Sequence, residues 1–198
     1  MATALSLRER NRVRTRNEIL DAAAILLGET SSSSSFSVEE ISQRAGVSRG
    51  TIYAYFAGGR DEVITEVYMR AATQVRARAE LLRSEQIATA DRIGALARGF
   101  LETAAQPEGR FYGSVRPEVA AIVADHLGST SGRITELIQQ DLLAAQKNGL
   151  LDALDSSMVS TLLEGAIRAA GERAAREPHA VESLLETIRS LVTRALIA

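Results

Sequence analysis

Twenty consecutive residues, Phe36 to Tyr55, read FSVEEISQRAGVSRGTIYAY and leave little freedom in what the chain folds into locally. Ser37 precedes a segment in which Val38 and Ile41 share a helical face, and Glu40 stands three residues after it. That is a capping box, in which the serine hydroxyl accepts from the Glu40 N–H while the glutamate reaches back to the cap. Ala45-Gly46-Val47 ends this helix, because glycine takes positive φ at no steric cost and the valine can tuck under the turn. Ser48 then caps a second short helix, on which Ile52 and Phe56 lie four residues apart and turn together toward the core. Two short helices joined by a glycine-containing turn are predicted, the arrangement of a helix-turn-helix.

The residues left facing outward suit a nucleic acid. Arg49 can make two parallel hydrogen bonds to guanine O6 and N7, a pairing worth roughly 1–3 kcal/mol of discrimination. Gly50 lets the helix start approach a groove closely. The hydroxyls of Ser48, Thr51, Tyr53 and Tyr55 can bond phosphate oxygens, which sets register without reading sequence. The plain alternative is a helical hairpin with tyrosines half-buried by chance. The capping box, the turn glycine and the hydroxyl-rich second helix occurring together argue against it.

At these residues the chain resembles the TetR family of one-component repressors. Their DNA-binding domain reads as a first helix, an Ile-Ala-x-x-Ala-Gly-Val-Ser segment, then Thr-φ-Tyr-x-x-Phe, then a basic residue opening a long fourth helix. Ile41-Ser42-Gln43-Arg44-Ala45-Gly46-Val47-Ser48 and Thr51-Ile52-Tyr53-Ala54-Tyr55-Phe56 match, with Ser42 in place of the usual alanine. Two departures stand out: Arg60 follows Phe56 by four positions instead of three, and the segment from Gly28 to Ser37 is longer than usual, carrying the run Ser31 to Ser35. The resemblance is specific over roughly residues 15 to 65 and architectural beyond. It implies an all-α fold with a three-helix DNA-binding domain followed by a six-helix ligand-binding and dimerisation domain. It also implies double-stranded operator DNA, a second copy of the chain and a small-molecule effector as partners, and a regulator, not an enzyme. The residues expected at DNA are Arg14, Arg16, Ser37, Ser48, Arg49, Gly50, Thr51, Tyr53, Tyr55 and Arg60.

Composition narrows the alternatives. No apolar run approaches the ~20 residues that span a bilayer, and the N-terminus lacks the apolar core of a signal peptide, so a cytoplasmic protein is expected. There is no cysteine, which removes disulfides, thiolate metal sites and cysteine nucleophiles. His126 and His179 are the two imidazoles and do not converge in sequence, so no metal site is expected. No dinucleotide or phosphate-loop glycine pattern is present, and no cofactor is expected. The net charge of −2 divides unevenly: residues 1–60 hold eight arginines against six carboxylates, and the acidic excess lies in the remainder. Five of those arginines, Arg8, Arg10, Arg12, Arg14 and Arg16, crowd the N-terminus. Residues 1–14 read either as a flexible basic arm that tracks the DNA backbone or a minor groove, or as a solubilising tail.

Helical spacing of Ile19, Ala22, Ala23, Leu26 and Leu27 predicts a first helix over Thr15 to Gly28, giving a DNA-binding domain over residues 15–60. The serine run reads as a flexible loop. Six helices are predicted over residues 61–198: a long one from Arg60 to about Arg83, then 89–105, 117–127, 130–148, 156–176 and 180–196. The last has the clearest apolar stripe, including Leu184, Ile188, Leu191, Val192, Ala195 and Leu196, and the one before offers Leu162 and Ala166. Part of that stripe completes the core. The resemblance places Leu162, Ala166, Leu184, Ile188, Leu191 and Val192 in a four-helix dimer bundle. The scarce aromatics of the middle helices, with His126 and Met158, give Tyr68, Phe100, Tyr112, His126 and Met158 as the effector pocket, with plain core packing as the competing role. Two other classes stay open on sequence: a helical interaction or architectural protein without sequence-specific DNA binding, and a small helical enzyme using His126, for which no nucleophile–base constellation is present.

Overall fold

A helix start that the spacing of apolar residues does not announce extends the first element. Ser6 N–H donates to Glu9 Oε2 at 2.8 Å and the Glu9 N–H returns to Ser6 Oγ at 3.2 Å, a second capping box. Helix α1 therefore runs Leu7–Glu29, eight residues earlier than Thr15. Arg8 to Arg14 lie on a helix and do not form a flexible arm. The computed structural model describes residues 6–29, 36–152 and 155–196; residues 1–5 of the expected arm and the serine run lie outside them.

Helices α2 (Val38–Ala45) and α3 (Arg49–Tyr55) follow. α1 packs across α2 and the long α4 (Gly59–Ser84). Ile19, Ala23, Ile41, Ile52, Phe56 and Val63 close the core of this small unit with essentially no exposure. α4 continues with Val67, Tyr68, Ala71, Ala72, Val75 and Ala79 buried along one side. One rigid rod thus contributes to the cores of both domains.

The second domain is built around α5 (Thr89–Ala105), which packs on α4, α9 (Ser156–Arg176) and α10 (Val181–Leu196), while α8 (Ser129–Lys147) packs on α9. Between them lie a 3-10 turn at Pro107–Gly109, a single-turn helix α6 (Arg110–Gly113) and the short α7 (Pro117–Ile122). Among the described residues, seven helices therefore stand where six were expected. One turn such as α6 is too short to leave a periodic signature, and α7 stops at Ile122 because the chain tightens into a 3-10 turn over Ala124–His126. The two domains meet where Gly28 of α1 lies against Pro107: a Cβ on Gly28 would sit 2.0 Å from the proline carbonyl oxygen. No helix among the described residues is long and apolar enough to cross a membrane.

Asp141 of α8 is 4% exposed and binds two arginines. Arg83, at the end of α4, donates from Nε (2.8 Å) and Nη2 (2.7 Å), and Arg92 of α5 donates from Nε at 2.7 Å. Three helices are tied at one buried carboxylate, so removing it strands buried positive charge, a loss of about 3–5 kcal/mol. Asp141→Ala should lower the melting temperature by roughly 10 °C in a thermal unfolding scan; a shift under about 2 °C would contradict the tie.

Candidate functional site

The helix-turn-helix is held by side chains that the sequence singled out and by one that it did not. The Ser37 hydroxyl accepts from the Glu40 N–H at 3.3 Å and Glu40 Oε2 accepts from the Ser37 N–H at 2.7 Å. That backbone donor, with the serine hydroxyl, holds the Glu40 carboxyl below the usual carboxylate range. The box is therefore complete at neutral pH and opens only as pH falls through that lowered value. Gly46 ends α2 at φ 67°, and the Val47 N–H donates to the Ser42 carbonyl at 3.2 Å. Ser42 adds a bond of its own, its hydroxyl donating to the Val47 carbonyl at 2.6 Å. The serine that replaces the usual alanine thus closes the turn. α3 starts at Ser48, whose hydroxyl accepts from the Thr51 N–H at 3.0 Å. Ile52 and Phe56 are wholly buried beneath it.

Arg49, Gly50 and Tyr53 face solvent, and Thr51 and Tyr55 are half-buried. Arg49 Nη1 lies 2.8 Å from Glu39 Oε2 of α2, an exposed pair. Nothing in the helical spacing identified that partner. The hydroxyls of Ser37, Ser48 and Thr51 are occupied by caps and by a Ser48–Thr51 contact of 2.8 Å. Tyr53 and Tyr55 are the hydroxyls on α3 for which no such local bond forms. Arg12 stands 5.9 Å over the Tyr55 ring.

The other expected arginines differ in their engagement. Arg14 is exposed and lies 3.4 Å from Glu18 on its own helix. Arg16 pairs with Glu66 and stacks 5.1 Å over Phe56, which braces α1 against α4. Arg60 is likewise a brace: Nε donates to the Phe36 carbonyl at 2.6 Å, Nη1 to Asp61 Oδ1 at 2.8 Å, and the guanidinium covers the Phe36 ring at 5.3 Å. Gly59, φ 66°, stands just before Arg60, in the turn that carries one residue more than the family pattern.

A cavity of about 290 Å³ lies between α4, α5, α6, α8 and α9. Tyr68, Phe100 and Tyr112 line it, as expected, with Thr130, Ile134 and Ile167. His126 and Met158 do not. His126 sits in the 3-10 turn before α8, and Met158, in the first turn of α9, is 63% exposed. Tyr68 and Tyr112 stack at 5.0 Å, and burial pushes both phenols above their ordinary range, Tyr112 the further.

The residues expected at the dimer face divide in two. Ile188 and Val192 are buried within the single chain because α10 lies on α5, and Leu184 is half-buried. Leu162 is 70% exposed, and Ala166 and Leu191 also face solvent. The side chains of Ala195 and Leu196 lie outside the described ones. No cluster of three or more His, Cys, Asp or Glu side chains able to hold a metal ion occurs among the described residues.

Residues 19–67 match the family described as Bacterial regulatory proteins, tetR family. No curated protein matches the chain. Among solved structures, the fatty acid degradation regulator FadR from Bacillus halodurans is 17% identical with a TM-score of 0.71, over 91% of this chain and 98% of its own. A TetR-like transcriptional regulator from Rhodococcus sp. RHA1 is 19% identical with a TM-score of 0.70, over 91% and 94%. A gamma-butyrolactone receptor described as ArpA-like is 22% identical with a TM-score of 0.69, over 94% and 90%. At these identities the likeness is one of fold.

Gly59 offers a direct check on the turn that departs from the family pattern. A Cβ there would sit 3.0 Å from Tyr53 Cε1 on a backbone that L residues avoid, whereas Gly58 has an ordinary φ of −76°. Gly59→Ala should cost about 1–2 kcal/mol in chemical denaturation and Gly58→Ala markedly less; equal costs would contradict this placement.

Proposed function

Since residues 19–67 match the tetR family of bacterial regulatory proteins, we propose that the chain is a dimeric transcriptional repressor that binds a palindromic operator and is released by a small-molecule effector. The observation that carries the reading is Arg49 at the exposed start of α3, held by Glu39 above a buried Ile52–Phe56 anchor. Arg49 reads bases, and Tyr53, Tyr55 and Arg14 position the helix on the backbone. Arg16 and Arg60 serve by fixing α1 and the Phe36 corner. The second copy covers the exposed strip of Leu162 and Ala166 on α9 with Leu191 on α10. Two α3 helices about 34–36 Å apart would then address successive turns of the duplex. The 290 Å³ cavity is the effector site. Support for coupling comes from its walls: Tyr68 belongs to α4, and Tyr112 belongs to α6, which follows the Pro107 turn against Gly28 of α1. An effector that fits better when these helices shift weakens operator binding by its differential affinity, and the operator weakens effector binding by the same factor.

Arg49→Ala should lower the preference for operator over random DNA by about tenfold or more while nonspecific binding changes little. Equal discrimination before and after substitution would favour an architectural protein without base readout. Light scattering at micromolar concentration should give twice the chain mass; a monomer with and without operator would overturn the dimer.

A further inference from the structure

Two buried hydroxyl side chains and the start of α8 line one part of the cavity. Tyr112 and Thr130 are each 7% exposed, and Tyr112 Oη donates to Thr130 Oγ1 at 2.6 Å. A hydroxyl has one proton to give. Tyr112 has given its proton to Thr130, so the Thr130 proton remains. Burial raises the Tyr112 phenol above its ordinary range, so it stays a neutral hydroxyl able to donate.

Thr130 is the second residue of α8, whose start at Gly128 carries no side-chain cap. The first backbone bond there runs from the Gly132 N–H to the Gly128 carbonyl at 2.7 Å, and the helix supplies no acceptor for the N–H groups of residues 129–131. Gly128, Thr130 and Ser131 all line the cavity. A buried hydroxyl and the start of a 19-residue helix thus share one part of an otherwise largely apolar lining.

The charged residues of the lining offer neither simple ion a matched partner. All three, Glu164, Arg168 and Glu172, belong to α9, and Arg168 lies 3.6 Å from Glu172. The lining therefore carries one negative charge in excess. A carboxylate would meet net negative charge along α9, with Arg76 the cation that reaches Tyr112 from outside the lining. An ammonium would meet donors and the positive end of a helix.

We propose that the cavity takes a small neutral carbonyl compound, an ester, lactone or ketone on a short aliphatic body, whose carbonyl oxygen accepts from the Thr130 hydroxyl and the first turn of α8. At ~30 Å³ per water-sized group, 290 Å³ holds on the order of ten heavy atoms. The aliphatic body lies against Phe100, Ile134 and Ile167. This assignment rests on reading the cavity as the effector site, yet its chemistry is testable by binding alone.

The test is calorimetric titration of the full-length protein with three probes of matched length: methyl heptanoate, octanoate and octylamine. Methyl heptanoate should bind at least about tenfold more tightly than either ion. Thr130→Val should weaken it about fivefold, the worth of one hydrogen bond, Tyr112→Phe should weaken it less, by releasing the Thr130 hydroxyl from its fixed orientation, and Thr130→Ser should retain it. Unchanged melting temperature and operator affinity in these variants separate a lost ligand contact from misfolding. The proposal is overturned if octanoate or octylamine binds as well as the ester, if the ester does not bind, or if Thr130→Val leaves its affinity unaltered. Operator release is read separately. Ester binding without release would sink the regulatory reading alone, and release by octanoate without ester binding would sink the ligand class alone.

Discussion

Helix α4 is buried along one side from Val63 to Ala79, and every other feature depends on that continuity. Its first turns complete the core beneath α3, its middle supplies Tyr68 to the cavity, and its end is fastened through Arg83 to Asp141. A close-packed rod transmits displacement because its neighbours cannot yield independently. The contact of Gly28 with Pro107 adds a second point at which the domains touch. Together they give the recognition helix two mechanical links to the cavity wall.

The DNA-facing side divides its labour by charge and by occupancy. A capping hydroxyl already committed to a backbone N–H contributes geometry, so Ser37 and Ser48 act by fixing α2 and α3. On the proposed reading, the Arg49–Glu39 pair reduces the side-chain freedom lost on docking and sets a negative charge beside the groove, which disfavours indiscriminate phosphate binding. The basic residues of α1 lie on a helix instead of a tail, so their charge is presented at fixed positions relative to Tyr55. These features favour a sequence reader over a generic polyanion binder.

Much of this was legible in the sequence because it is encoded by short-range rules. Ser37, Glu40, Gly46, Ile52 and Phe56 act within one or two helical turns, and each occupies the place that its spacing required. The start of α1 is equally local, but the arginines that follow the Ser6–Glu9 box have the composition of a tail and mask it. What spacing could not supply were long-range pairings: Arg49 with Glu39, Arg60 with the Phe36 carbonyl, and Asp141 with two arginines from other helices. The pocket was half legible for the same reason. Tyr68, Phe100 and Tyr112 are aromatic and buried, whereas His126 and Met158 are placed by turns whose direction no periodicity records. In α10, one apolar stripe was wide enough for two partners, and only the packing on α5 separated core from surface.

The central claim is that two copies of α3, set apart by the dimer, read DNA sequence. Selection of bound duplexes from a random pool by the intact protein tests it most directly. The account predicts enrichment of two inverted half-sites separated by about 10–10.5 base pairs or a multiple of that helical repeat, with guanine at the position that Arg49 meets. A pool that remains unenriched, or a single half-site without a symmetry mate, would contradict it.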